Sequence, residues 1–351
     1  MGNNKTHFDK PNGFIRFPTA WLIALAAVAW LIVIVSLHVH LNGGKTNRKV
    51  VNMGYMPVIT NLACPLLDYA TRDGDGIRFN AVKFSSFAEM AEALRNDDIQ
   101  VAFIIAPLSI VLRQQGEDVK VICIGNRHES TLVTEKSLEI DSIADLAGKT
   151  VAVPMRYSGH NLSMLQLMEK YGLEHDINLV EMNPPDMASA MAAGSLSAYC
   201  VGEPFAAQTI KNGNSRVLFY VEDIWPGFIC NLVLVRREFI EKDRQTIQIL
   251  VSGIARSGIW ARKNPGEAAK IACRYWNQPL ELVEYALTQP ENRIVYDRFI
   301  PREEELQQIA DLMQRFKLSG SNDIKGLVED RFAKKVSLGN VEKLGSIFKR
   351  P

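Results

Sequence analysis

The sequence predicts an α/β protein of two lobes, each organised around a mainly parallel sheet. Three observations carry this expectation. From Val50 onward, short apolar runs alternate with longer runs of helical spacing, the pattern of the strand–helix units that build parallel sheets. The run 101–106 (VAFIIA) is apolar without a break, as a strand covered on both faces requires. Roughly 300 residues follow the first 49, more than one hydrophobic core organises.

The elements follow in chain order. Residues 50–55 (VVNMGY) read as the first strand and 62–70 as the helix after it, while 77–84 is a second strand. The stretch 87–95 places Phe87, Met90, Ala91 and Leu94 at helical spacing. After the apolar strand 101–106 come a short helix, 108–115, stopped by Gly116, and a strand over 119–125. A short helix within 142–149 precedes the strand 150–153, and the helix 162–171 ends at Gly172, the residue type best suited to the left-handed helix stop. Strands at 177–181 and 198–201 alternate with helices at 185–193 and 205–211, closed by Gly194 and by Asn212-Gly213. Runs at 217–221 and 232–235 supply the last strands, and from Arg237 to about Arg315 the pattern is almost wholly helical.

The N-terminus differs in kind. No Asp, Glu, Lys or Arg occurs from Phe17 to Gly44, and the 18 residues of 20–37 are apolar except for Ser36, enough to cross a bilayer at about 1.5 Å per residue. Such a run is an uncleaved anchor or a secretory signal. Signal cores usually stop at about 7 to 15 residues, and no small-x-small cleavage site follows this one, which favours an anchor. The expected layout is a cytoplasmic tail at 1–19, a transmembrane anchor or signal at 20–41 and a linker at 42–49. Three basic residues precede the run (Lys5, Lys10, Arg16) and three follow it (Lys45, Arg48, Lys49), so charge alone does not orient it. Lipid attachment is excluded, because the first cysteine is Cys64.

Six of the 40 basic residues and one of the 39 acidic residues precede Val50. The body therefore carries 34 against 38, and lacks the dense basic face that nucleic-acid binding needs. The five cysteines (Cys64, Cys123, Cys200, Cys230, Cys273) are odd in number and form no C-x-x-C, the usage of buried free thiols. No nucleophile elbow, phosphate loop, H-E-x-x-H or dinucleotide fingerprint is present. The histidines of the body, His128, His160 and His175, are too scattered for a metal site. The expectation is therefore no catalytic set, no metal and no cofactor.

Short polar turns at the carboxyl ends of strands, where open α/β sheets hold ligands, are the informative feature. They are Gly54-Tyr-Met-Pro-Val-Ile-Thr-Asn61, Ala106-Pro107-Leu-Ser109, Val153-Pro-Met-Arg-Tyr-Ser-Gly-His-Asn161 and Tyr199-Cys-Val-Gly-Glu-Pro-Phe205. In the third, Ser158 or Asn161 would cap a helix whose free N–H groups attract an anion or a polar oxygen, or would simply start a surface helix. Arg156 and His160 add donors there. Glu203-Pro204 is either part of a site or an ordinary turn, and Trp225-Pro226-Gly227 is either a stacking wall or a packed hinge.

At these positions the chain resembles the nitrate/sulfonate/bicarbonate-type substrate-binding proteins of ABC importers. The resemblance rests on Gly54-Tyr-x-Pro, on Asp145-Leu-Ala-Gly-Lys-Thr-Val-Ala-Val-Pro154 leading to Ser158-Gly-His-Asn161, and on Cys200-Val-Gly-Glu-Pro204, over about residues 50 to 320. It implies a type II periplasmic-binding-protein fold, with two α/β lobes around a ligand cleft, here preceded by one transmembrane helix. Lobe 1 would comprise 50–135 and the mostly helical 231–351, lobe 2 would comprise 136–230, and the crossings would fall near 132–136 and 230–235. Pro57, Thr60, Asn61, Pro107, Ser158, Gly159, His160, Asn161, Glu203 and Pro204 would surround the cleft. Arg156, Asp186 and Trp225 are added from their position and chemistry.

The implied function is capture of a small oxyanion or polar organic solute for an ABC permease and its ATPase, without chemistry. The body would sit on the extracytoplasmic side of the cell membrane, tethered by the single N-terminal span. Nitrate-binding members carry a basic residue soon after an Ile-Trp like Ile224-Trp225, where this chain has Pro226-Gly227, which argues against nitrate. Two alternatives are an anchored solute sensor and a pyrimidine-precursor synthase-like enzyme. The enzyme's cysteine-rich segment is absent.

Overall fold

The computed structural model describes residues 19–42, 48–339 and 341–348. Contacts divide the chain into two compact units, Met1–Arg48 and Lys49–Pro351. In the first unit the backbone forms the helix α1 (Thr19–Asn42), and its described side chains, Trp21 and residues 23–37, are exposed. Among the described residues no helix is long and apolar enough to cross a membrane. The expected tail, apart from Thr19, and most of the expected linker lie outside the described residues.

The body begins with β1 (Val50–Tyr55), a single 3-10 turn at Ile59–Asn61, α2 (Ala63–Thr71), β2 (Arg78–Lys83), α3 (Phe87–Arg95), β3 (Val101–Ile105), α4 (Ala106–Gln114) and β4 (Val119–Cys123). It continues through β5 (Ser130–Glu135), β6 (Thr150–Val153), α5 (Gly159–Tyr171), β7 (Asn178–Glu181), α6 (Pro184–Ala192), β8 (Ala198–Gly202), α7 (Phe205–Lys211), β9 (Ser215–Tyr220) and the four-residue α8 (Val221–Ile224). The strand β10 (Asn231–Arg236) precedes α9 (Arg237–Lys242), α10 (Arg244–Lys263), α11 (Pro265–Trp276), α12 (Leu280–Thr288) and α13 (Glu303–Arg315).

Two five-stranded sheets result, ordered β2-β1-β3-β10-β4 and β7-β6-β8-β5-β9. Each is parallel except for one strand, β10 or β5, which runs antiparallel to its neighbours. In each sheet the odd strand is the first one reached after the chain crosses from the other lobe. The first sheet is covered on both faces, and its residues alternate accordingly. Val101, Phe103, Val233 and Val235 pack with α2, α10, α11 and α12, while Ala102, Ile104, Leu232 and Leu234 join the other core. Burying each such side chain contributes about 1.5–3 kcal/mol. Local signals set the helix ends: Ser86 and Ser158 accept from Glu89 and Asn161 N–H groups at the starts of α3 and α5, and Gly172 closes α5 at φ 66°.

Two expectations are corrected. The strand β5, placed at the end of lobe 1 by the boundary 135/136, pairs with β8 and β9 in the second sheet, so the crossings run over 124–129 and 225–230 instead. Apolar alternation is the same whichever sheet a strand joins, so the pattern could not show the transfer. The stretch 106–109, expected as a turn, is the first turn of α4, with Pro107 near its start, where a missing N–H costs nothing.

Two buried arginines fasten the crossings to the segment before α13. Arg127 Nη1 donates to Gly227 O at 2.8 Å, its Nη1 and Nη2 donate to the Glu305 carboxylate at 2.9 Å each, and its Nε donates to Arg298 O at 3.0 Å. Arg293 donates from Nε to Glu222 Oε1 at 2.6 Å, from Nη1 to Thr131 Oγ1 at 3.0 Å and from Nη2 to Ser130 O at 2.6 Å. Removing one partner of such a pair strands the other, so Arg127→Met should lower stability by about 3 kcal/mol. Urea unfolding of the variant beside wild type checks this, and a midpoint unmoved by the substitution would show that the crossings are held by other contacts.

Candidate ligand-binding cleft

The carboxyl ends of β1, β6, β7 and β8 bring the expected turns together between the lobes. A cavity of about 300 Å³ opens there, walled by Met56 and Phe87 from lobe 1 and by Met155 and Met182 from lobe 2, with Ser86 and Glu181 among its polar groups. Its lobe 1 wall combines Met56, from the loop after β1, with the start of α3, and its lobe 2 wall combines Pro154 and Met155 with the connection from β7 to α6.

A buried polar cluster is drawn from both lobes and both crossings. His160 Nε2 is 2.9 Å from Ser130 Oγ, which donates to Glu129 Oε1 at 3.0 Å. The second Glu129 oxygen accepts the Glu203 N–H at 2.7 Å. The Cys230 thiol is 3.8 Å from His160 Nε2 and donates to Asn231 Oδ1 at 3.2 Å, and Asn231 Nδ2 donates to Asn61 Oδ1 at 2.7 Å. Asn126 Nδ2 donates to Ile59 O at 2.8 Å. Three polar atoms in this cluster are buried without a hydrogen-bond partner: Thr60 Oγ1, Asn126 Oδ1 and His160 Nδ1. Such atoms are costly unless something completes them, at about 1–3 kcal/mol each.

The expected residues divide into two groups. Thr60, Asn61, Ser158, His160 and Asn161 are buried, as are Pro57 and Gly159. Gly159 is required by close approach, since a Cβ there would meet the Phe228 ring at 2.5 Å. Pro107 is buried in α4. Trp225 is buried and packs on Phe228, whose ring meets His160 edge-on, so it backs the histidine. Glu203, preceding the cis Pro204, is buried with both oxygens engaged: Oε1 accepts from Thr131 Oγ1 and Oε2 from Ala207 N–H at the start of α7. Arg156 and Asp186 are exposed; the Arg156 guanidinium lies over the Tyr157 ring, 5.3 Å from its centroid.

The residues not anticipated are Asn126, Glu129, Ser130, Cys230, Asn231 and Arg293. Five of them lie in the crossings or at the first residue of the strand each crossing feeds, where neither periodicity nor a strand-end turn marks them. Glu129 and Ser130 follow His128, and that polar triplet between two apolar runs was the available signal.

The profile of the NMT1-like family matches residues 44–275. The chain belongs to the NMT1-like family. It is 27% identical over 271 residues to a Bacillus subtilis (strain 168) protein named for binding aliphatic sulfonates, covering 74% of this chain and 79% of that one. Its fold matches the ligand-binding component of an ABC-type import system from Staphylococcus aureus, crystallised with zinc bound, with a TM-score of 0.74 at 20% identity over 83% of this chain and 100% of that one. It also matches the periplasmic nitrate-binding protein NrtA from Synechocystis PCC 6803, with a TM-score of 0.70 at 14% identity over 82% and 88%. The fold is thus the mixed α/β two-lobe periplasmic-binding fold. These similar NMT1-like and import proteins are binding components of transport systems, not enzymes. Among the described residues no three His, Cys, Asp or Glu side chains gather as metal ligands.

Burial sets the charge states of the cluster. It pushes the His160 pKa down to about 3 and the Glu129 carboxyl up to about 7, with Ser130 and Arg293 pulling the other way. Burial also raises Glu203 and the Cys230 thiol. The first two act on stability with opposite signs. Between about pH 3 and 6.5 the unfolded chain alone protonates His160, so that contribution is present above the window and lost as pH falls. Between about pH 4.5 and 7 the folded chain alone protonates Glu129, so its contribution is present below the window and lost as pH rises. From pH 4.5 to 6.5 the two slopes offset each other. Glu129→Gln should therefore unmask the histidine, adding to the wild-type profile a rise of about 1.4 kcal/mol per pH unit. Urea unfolding at pH 5 and 6.5 measures it, and parallel profiles for variant and wild type would refute the assignment.

Proposed function

We propose that this protein is the solute-capturing component of an ABC importer. A small oxyanion or polar organic solute enters between the lobes, and lobe closure presents the complex to a membrane permease driven by its ATPase. The observation that carries this reading is the set of buried, partnerless polar atoms contributed by both lobes and a crossing, Thr60 Oγ1, His160 Nδ1 and Asn126 Oδ1, in a fold whose relatives serve import. A solute held between the lobes would complete those atoms and favour the closed arrangement. The strand order shared by the two sheets supports the type II form of the fold.

The apolar sequence run of residues 20–37 supports a single-pass tether, with the body on the extracytoplasmic side of the cell membrane. Sodium carbonate should leave the full chain in the membrane fraction and release a form lacking residues 1–42; release of both would remove the tether from the reading.

Binding only the folded state must stabilise it, by about 2.7 kcal/mol at a hundred times Kd. A saturable rise in Tm of the full chain with one solute class, together with loss of uptake of that solute on deletion of the protein, is the expected result. His160→Ala and Asn161→Ala should each weaken binding by about tenfold or more, the equivalent of one charge-assisted or buried hydrogen bond. Wild-type uptake in the deletion strain would count against the import role.

A further inference from the structure

A hydrogen-bonded chain of three buried side chains runs from Glu129 through Ser130 to His160. Ser130 Oγ lies 3.0 Å from Glu129 Oε1 and 2.9 Å from His160 Nε2, and none of the three residues is more than 2% exposed. A serine hydroxyl has one hydrogen to give, so it donates toward only one end of this chain at a time. The end that receives it fixes the ring, because a neutral imidazole carries its hydrogen on one nitrogen and leaves the other bare. Where Ser130 donates to Glu129, His160 must donate from Nε2, and Nδ1 is bare. Where Ser130 donates to His160, Nε2 is bare and Nδ1 carries the hydrogen. Nδ1 is buried and has no hydrogen-bond partner among the described residues, so no such bond at that atom holds one tautomer against the demand from Ser130.

Glu129 makes the choice, because its two oxygens are not equivalent. Oε2 accepts the Glu203 N–H at 2.7 Å, so a proton on this carboxyl belongs on Oε1, facing Ser130. The ionised carboxylate can only accept and draws the Ser130 hydrogen to itself. The neutral acid donates to Ser130 instead, and Ser130 then passes its own hydrogen to Nε2. The Cys230 thiol stands beside both groups, but its hydrogen goes to Asn231 Oδ1 and its sulfur is a weak acceptor. Burial is the largest influence on Glu129 and raises its pKa to about 7; the Ser130 hydrogen bond and the Arg293 charge pull it down, the Glu203 charge pushes it up, and the Cys230 and Cys200 thiols lie near. His160 stays uncharged across that range, since burial holds its own pKa at about 3.

We infer that Glu129 and Ser130 form a proton relay that sets the tautomer of His160, so that uptake of one proton turns Nδ1 from an acceptor into a donor while the ring stays neutral. The balanced step takes a solvent proton onto Nδ1, passes the Nε2 hydrogen to Ser130 Oγ and passes the Ser130 hydrogen to Glu129 Oε1. Nδ1 is thus bare above about pH 7 and an N–H below it. This holds whatever solute the protein captures, and does not depend on its capturing one. The test is nitrogen-15 NMR of the full chain in detergent with labelled histidine, reading long-range proton–nitrogen correlations at pH 5.5 and pH 8.5; loss of signals in His160→Gln identifies the ring. The expected result is a neutral ring protonated on Nδ1 at pH 5.5 and on Nε2 at pH 8.5. Glu129→Gln must turn its carbonyl to the Glu203 N–H and its amide to Ser130, so it should hold the Nδ1–H form at both pH values. Ser130→Ala should make the tautomer independent of pH. One tautomer at both pH values in the wild-type protein, or a charged ring at pH 5.5, overturns the inference without recourse to any variant, and a protonated Nε2 in folded Glu129→Gln overturns it as well.

Discussion

The structure depends on how the chain passes between its two sheets. It does so twice, over 124–129 and 225–230, and both passages are buried, so every polar group in them needs a partner. Arg127 supplies several at once by joining the first crossing to Gly227 of the second and to Glu305 of α13. Arg293 does the same at the edge of lobe 2, with its guanidinium stacked 4.2 Å from the Tyr220 ring centroid. The backbone adds a two-way bridge between Arg127 and Val295. The segment 293–305 is therefore a third connection between the two lobes, beside the two crossings.

The same constraint explains why the polar cluster sits where it does. Residues in a crossing are within reach of both lobes, so Asn126, Glu129 and Cys230 can touch side chains from 59–61 and from α5 without any loop having to extend. Their bonds are mostly spent on fixing one another: Glu129 on Ser130 and Glu203, Asn231 on Asn61, Ser158 on the first turn of α5. This preorganisation leaves a small number of atoms uncommitted. Because those atoms are already desolvated, a solute that meets them recovers what burial cost without ordering any further side chains.

Much of this was legible in the sequence, for definite reasons. Strands buried on both faces are apolar throughout, and β3 and β10 declare themselves that way. Ser158 or Asn161 could be read as a cap because both stand between a strand and a helical run, and Ser158 is the residue that caps α5. What the sequence hid were contacts made at long range. Nothing near Arg293 points to Ser130 and Glu222, which lie 163 and 71 residues away. The transfer of β5 into the second sheet was hidden too, because alternation fixes which faces of a strand are buried and says nothing about its neighbours. Arg156 and Asp186 looked like ligand groups by charge and position, but their side chains turn to solvent, where a lone charge is worth little.

A shared fold leaves the choice of ligand open. Proteins of this two-lobe architecture are named for sulfonate or nitrate, and one was crystallised with zinc bound. What varies is the side chains set at the strand ends. An anion-binding version of such a cleft leaves helix starts open and places cations nearby. Here the two buried arginines at the hinge are committed to Glu305 and Glu222, and α3, α6 and α7 are closed by their own acids or prolines. The helix α5 begins without an acid in its first turn, and the histidine in that turn is held neutral by burial.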